Sequence, residues 1–92
     1  MIRNEDYMLR TIAEDRLLVP IGSAVLNFAG LIAVNEMGEF IWNELKEEMS
    51  LDRLLLRVCE EYEVEPDRAR EDIIKFLDVL KSKNAILEES NR

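Results

Sequence analysis

The sequence contains no histidine and a single cysteine, and its 92 residues include only three glycines and two prolines. Without imidazole there is no Ser-His-Asp or Cys-His relay of the usual form, and no histidine-based metal site. The lone thiol, Cys59, forms no internal disulfide and supplies no thiolate cage by itself, which fits a reducing cytosol. It sits among Leu55, Val58 and Tyr62 at helical spacing, directly before Glu60 and Glu61. That is the setting of a buried structural thiol, whereas an activated nucleophile needs basic neighbours. Basic residues are scarce as well: 12 Lys and Arg stand against 20 Asp and Glu, for a formal charge of -8. An acidic surface repels phosphate backbones and anionic lipid, which disfavours nonspecific DNA binding. No apolar run approaches the roughly 18 residues of a membrane helix, and the mixed charges of Met1 to Asp6 do not open a signal peptide. A soluble, cytoplasmic protein is expected.

What is present is enough for one core. Apolar residues make up 48% of the chain, too many for disorder, and the length suits a single domain over residues 1–92. The sequence divides near Asn35. Tyr7 to Ala13 and Arg16 to Ile21 read as two strands around a polar Glu14-Asp15 turn, with Pro20 and Gly22 closing the second. A connection from Ser23 to Ala29 follows. Gly30 then opens Leu31-Ile32-Ala33-Val34, an apolar run too short for a helix and bounded by turn residues, which reads as a third strand.

Helical periodicity takes over after Asn35, an N-cap with Glu36 and Glu39 at the positive end of the dipole. The first helix carries Met37, Phe40, Ile41 and Leu45 on one face and extends to about Met49. Gly38 in its first turn costs up to about 1 kcal/mol relative to Ala, which points to a close backbone approach. Trp42 turns away from the centre of this stripe, as a flank of the core or as an exposed anchor. Ser50 caps a second helix with a full amphipathic stripe from Leu51 through Leu54, Leu55, Val58 and Cys59 to Tyr62. Pro66 starts a third, running to about Lys83, with Asn84 as a left-handed C-cap. Ile86 and Leu87 add a short strand before a charged tail. The fold class is α+β: a three-stranded antiparallel sheet followed by three helices, winged helix-turn-helix-like.

The third helix is apolar over too wide an arc. On a helical wheel Ile74, Leu77, Ile73, Leu80, Ala69, Phe76 and Val79 span about 220 degrees, where about 100 suffice against one core. Either the helix is sandwiched inside the fold, or part of its face lines a groove for an apolar ligand or peptide, or it forms a dimer interface. The run Leu31 to Val34 poses the same question, since it has neither the Lys nor the Pro that blunts an exposed edge. Placed at a sheet edge, it would accept another strand by backbone hydrogen bonds. The acidic pairs Glu47-Glu48, Glu60-Glu61, Glu71-Asp72 and Glu88-Glu89 lie on polar faces or in the tail. Nothing assembles nucleophile, base and oxyanion donors, so neither catalytic residues, nor a metal, nor a cofactor are expected.

Tyr7-Met-Leu-Arg10, Leu18-Val19-Pro20-Ile21-Gly22 and Phe28-Ala-Gly30-Leu-Ile32-Ala-Val34-Asn35-Glu36-Met37-Gly38-Glu-Phe40-Ile41-Trp42 together resemble the PqqD-like family, named for a protein of pyrroloquinoline quinone biosynthesis. The Asn-Glu-x-Gly-x-x-Ile-Trp element with its preceding strand is the most specific part. Ser50-Leu-Asp, Tyr62-Glu-Val64 and Asp72-Ile-Ile-Lys-Phe76-Leu77 also follow the pattern, for a coverage of about Tyr7 to Leu87. Met37 stands where the family commonly has threonine, and Val34 where leucine often precedes the asparagine.

The resemblance implies a noncatalytic recognition element of ribosomally made, post-translationally modified peptides. Such a domain holds a precursor's leader peptide as an extra strand and presents the core to a modifying enzyme, often a radical S-adenosylmethionine protein. Carried over by position, the peptide-binding edge is Leu31, Ile32, Ala33 and Val34, and the helix wall is Ile73, Phe76, Leu77 and Leu80. The competing readings are a winged-helix DNA-binding transcriptional regulator and a structural subunit that dimerises through the strand, so the chain is expected as monomer or homodimer. The regulator is disfavoured because the third helix mixes Arg68, Arg70, Lys75, Lys81 and Lys83 with Asp67, Glu71, Asp72 and Asp78. The net charge favours a basic partner surface.

Overall fold

The computed structural model describes residues 1–22 and 31–87. The expected connection from Ser23 to Ala29, the motif residues Phe28 to Gly30 and the tail pair Glu88-Glu89 lie outside the described residues. In chain order the elements are β1 (Ile2–Arg3), β2 (Tyr7–Ile12), β3 (Asp15–Pro20), β4 (Ile32–Val34), α1 (Glu36–Glu44), α2 (Leu51–Glu61), α3 (Pro66–Ser82) and β5 (Ile86–Leu87).

Strands β2 and β3 form the expected hairpin, paired antiparallel from Tyr7 with Pro20 to Ile12 with Asp15. The turn is therefore Ala13-Glu14, one residue earlier than Glu14-Asp15. Ala13 takes a left-handed conformation, φ 58°, because two-residue hairpin loops need positive φ to match the strand twist. Strand β4 pairs antiparallel with β3, and among the described residues the order β2-β3-β4 puts it at the edge of the sheet. Leu31, expected as its first residue, lies just before it.

The register sorts the side chains into rows across the sheet. Leu9, Leu18 and Ile32 form one row and Thr11, Arg16 and Val34 another, while Arg10, Leu17 and Ala33 belong to the opposite face. Leu18 and Ile32 are buried, so the first face packs on the helices.

Helix α1 begins as its N-cap predicts: the Asn35 Oδ1 accepts from the Gly38 amide at 2.8 Å. It ends at Glu44, not near Met49, because the N-terminal segment takes the bonds that a longer helix would use. The Met49 amide donates to the Met1 carbonyl at 2.8 Å, and the Leu45 carbonyl accepts from the Arg3 amide at 2.9 Å. Strand β1 was not expected at all; it pairs with β5 in a separate two-stranded sheet. Ser50 caps α2 by accepting from the Arg53 amide at 3.1 Å. Pro66 opens α3, and Asn84 follows that helix with φ 58°.

The core gathers Leu18 from the sheet with Ile41, Leu45, Leu54, Val58, Ile73 and Leu80 from the helices, each with almost no exposed surface. Trp42 is buried too, which settles it as part of the core. Cys59, expected as a buried structural thiol, is half-buried and packs at the core's margin. Among the described residues no helix is long and apolar enough to cross a membrane. Leu54→Ala is expected to lower unfolding free energy by about 2–5 kcal/mol, from lost burial plus the cavity left behind. Urea denaturation checks this, and an unchanged midpoint would remove Leu54 from the core.

Candidate functional site

Between the edge strand β4 and helix α3 lies a groove of about 330 Å³, lined by Ala33, Val34, Asn35, Met37, Gly38, Ile41, Asp72, Lys75 and Phe76. Its floor comes from α1, whose positions 37, 38 and 41 share a side at helical spacing. Gly38 explains why floor and walls meet. A Cβ at this position would lie 3.1 Å from the Val34 Cβ and 3.3 Å from the Phe76 ring. Glycine lets the first turn of α1 press against both, as its unfavourable helical position implied.

The far side of α1 is held by different chemistry. The Arg16 guanidinium donates to Glu39 at 2.6 Å, tying β3 to the helix. Phe40 meets the Tyr62 ring edge-on at 5.6 Å, and the Arg57 guanidinium lies 5.5 Å from the Phe40 centroid while bonding Glu44 at 3.1 Å. Hydrogen bonds to Glu44 and then Glu60 hold the Arg57 proton more tightly than usual. Burial, and then the charge of Glu36, push the Tyr62 phenol above its ordinary range. The acidic residues of α1 thus belong to this side, and α1 turns Met37, Gly38 and Ile41 to the groove.

The structure separates the candidate residues. Leu31 and Ala33 are exposed, Val34 is half-buried, and the Ile32 side chain points into the core. On α3, Phe76 alone of the four expected wall residues lines the groove. Ile73 and Leu80 are buried in the core at 0% exposure, and Leu77, 5% exposed, lines a second pocket rather than this groove. The wide apolar arc has a core centre and two flanks. Phe76 and the exposed Val79 lie on the groove side, while Ile74, 39% exposed, faces a second pocket of about 290 Å³ beside Met1, Met49 and Leu51.

Met37, Gly38, Asp72 and Lys75 were not expected as site residues. Gly38 carried a signal in its cost to the helix; Asp72 and Lys75 read as ordinary solvated charges.

Residues 22–86 match the model of the family of coenzyme PQQ synthesis protein D, PqqD. A search of curated proteins found no match. Among solved structures, TbiB1 in complex with the TbiA(beta) leader peptide is similar, with a TM-score of 0.73 at 20% identity, over 99% of this chain and 100% of that one. At that identity the likeness speaks to the fold.

A substitution at the floor tests the geometry. Gly38→Val is expected to cost about 1–3 kcal/mol through overpacking and to shift the NMR signals of the Val34 methyls and the Phe76 ring. Unchanged stability together with unchanged signals would contradict the close approach.

Proposed function

The chain belongs to the PqqD family, and from that premise we propose that it is a noncatalytic peptide chaperone. It binds the leader segment of a ribosomally made precursor as a strand added to β4 and presents the remainder to a separate modifying enzyme in the cytoplasm, a radical S-adenosylmethionine protein in the frequent case. The observation that supports this most is the juxtaposition of an edge strand with an apolar groove beside it. The TbiB1 structure, of the same fold, carries a leader peptide.

The register of the sheet extends to the guest. Guest residues beside Ile32 and Val34 aim toward the groove, and the one beside Ala33 aims to the outer face, next to Leu17. A three-residue edge supplies few backbone hydrogen bonds, each worth about 0.5–1.5 kcal/mol net. Micromolar affinity needs about 8 kcal/mol, so the groove must contribute. Fully burying one Leu- or Phe-sized guest side chain contributes about 1.5–3 kcal/mol, with Val34, Met37, Gly38 and Phe76 as its surroundings. Ile73, Leu77 and Leu80 act from the core by fixing the position of α3. The opposite edge, β2, is longer, but the pocket at its start includes the ion-paired Arg3 and Glu5, and its helix wall is Trp42 and Asn43 of α1.

The DNA-binding reading finds no support in the charges of α3. Arg70 reaches Asp52 at 3.3 Å and Arg68 lies 3.8 Å from Asp72, so cations that would face phosphates are shared with carboxylates.

Adjacent residues of an edge strand aim their amides alternately at the neighbouring strand and away from it. Of Ala33→Pro and Val34→Pro, one deletes a donor to β3 and the other a donor to the guest. The variant that retains its circular dichroism spectrum is expected to lose binding of a peptide selected on the wild-type chain from a random library by at least about tenfold, a loss of about 1.4 kcal/mol, in titration calorimetry. Full affinity in a folded proline variant would contradict strand addition at β4.

A further inference from the structure

We infer that the guest strand is acidic beside its apolar anchor: it carries an Asp or Glu side chain, within two positions of the residue that fills the groove, that pairs with Lys75. This inference rests on the peptide-groove reading and adds a chemical class to its ligand.

The groove lining contains two charged side chains, Asp72 and Lys75. Asp72 shares its charge with Arg68, 3.8 Å away and one turn earlier on α3. Lys75 is exposed and has no ion-pair or hydrogen-bond partner among the described residues. Lys75 is thus the cation of the groove lining that no carboxylate contacts directly, although Glu71, Asp72 and Asp78 lie within one turn of it on α3. The other cations described above are engaged: Arg16 with Glu39, Arg57 with Glu44 and Glu60, Arg70 with Asp52.

At physiological ionic strength exposed charges farther apart than about 8 Å are largely screened, so a guest residue at the rim senses Lys75 and the carboxylates one turn away, and only a guest carboxylate gains a direct ion pair there. Lys75 and Phe76 line the same groove, and a lysine there keeps its ammonium in water at the rim. A guest carboxylate next to the anchor completes an ion pair there; a guest lysine meets repulsion in the same place. Rim charges of this kind select partners more than they tighten binding. The charge of -8 by itself favoured a basic partner, whereas the groove favours an acidic one.

Selection from a library of random extended peptides displayed against the full chain, at about 0.15 M salt, tests this. Wild type, Lys75→Arg, Lys75→Glu and the folded proline variant of β4 serve as baits. Wild type and Lys75→Arg are expected to enrich Asp and Glu near an apolar anchor, and Lys75→Glu to enrich Lys and Arg instead. A single acidic peptide from the wild-type pool should bind Lys75→Glu about three- to fivefold more weakly, as for an exposed ion pair. Identical preferences for wild type and Lys75→Glu, or enrichment of basic residues on wild type, would overturn the inference. Peptides that lose binding to the proline variant yet show no acidic preference would overturn the acidic guest and leave the groove standing. Undiminished recovery on the proline variant, or no enrichment on any bait, would overturn the groove reading and this inference with it.

Discussion

Where α1 begins, the backbone at Gly38 comes so near Val34 and Phe76 that a methyl group would already crowd both. Three elements converge there: the edge strand, the helix that follows it and the long helix that ends the fold. A glycine in a helix interior costs up to about 1 kcal/mol relative to alanine, and the contact gives that cost a reason. With a larger residue, α1 would stand away from β4 and α3, and the groove would lose its shape. The Asn35 cap, which accepts from the Gly38 amide, fixes the same turn from the other side. Strand end, helix start and groove floor are one local arrangement of residues 34–38.

Much of this arrangement was legible in the sequence, because its determinants are local. The caps at Asn35 and Ser50, the proline at the start of α3 and the stripe of α2 all lie where short-range rules put them. What was not legible depends on residues far apart in the chain. The early end of α1 follows from bonds between residues 1–3 and 45–49, and β1 is two residues long, too short for any period. The wheel of α3 showed an apolar arc but not where the core ends and its flanks begin. Hence the wheel did not tell that Ile73, Leu77 and Leu80 are buried, and Lys75, at the groove rim, looked like any solvated lysine. The family resemblance, carried by the strand and turn before α1, agrees with the family match over residues 22–86.

Read together, the parts describe a fold that leaves one seam open. The inner face of the sheet is closed by the helices through Leu18 and Ile32, while the free edge of β4 and the flank of α3 at Phe76 meet across a groove. Edge strands with apolar neighbours invite aggregation, so an exposed one beside a shaped groove is more economically understood as a docking place. The short length of β4 keeps the backbone share of any binding small and leaves discrimination to side chains, which suits a protein that must find one segment among many extended peptides.

The central claim is that a leader peptide becomes the fourth strand of the sheet, beside β4. Amide hydrogen exchange, followed by NMR on the full chain with and without a peptide selected on it from a random library, tests this most directly. The account predicts new protection at outward-facing amides within residues 31–34 and at alternate amides of the peptide, with the β2 amides unchanged. Protection confined to β2 or to the pocket beside Met1, with residues 31–34 unaffected, would contradict it.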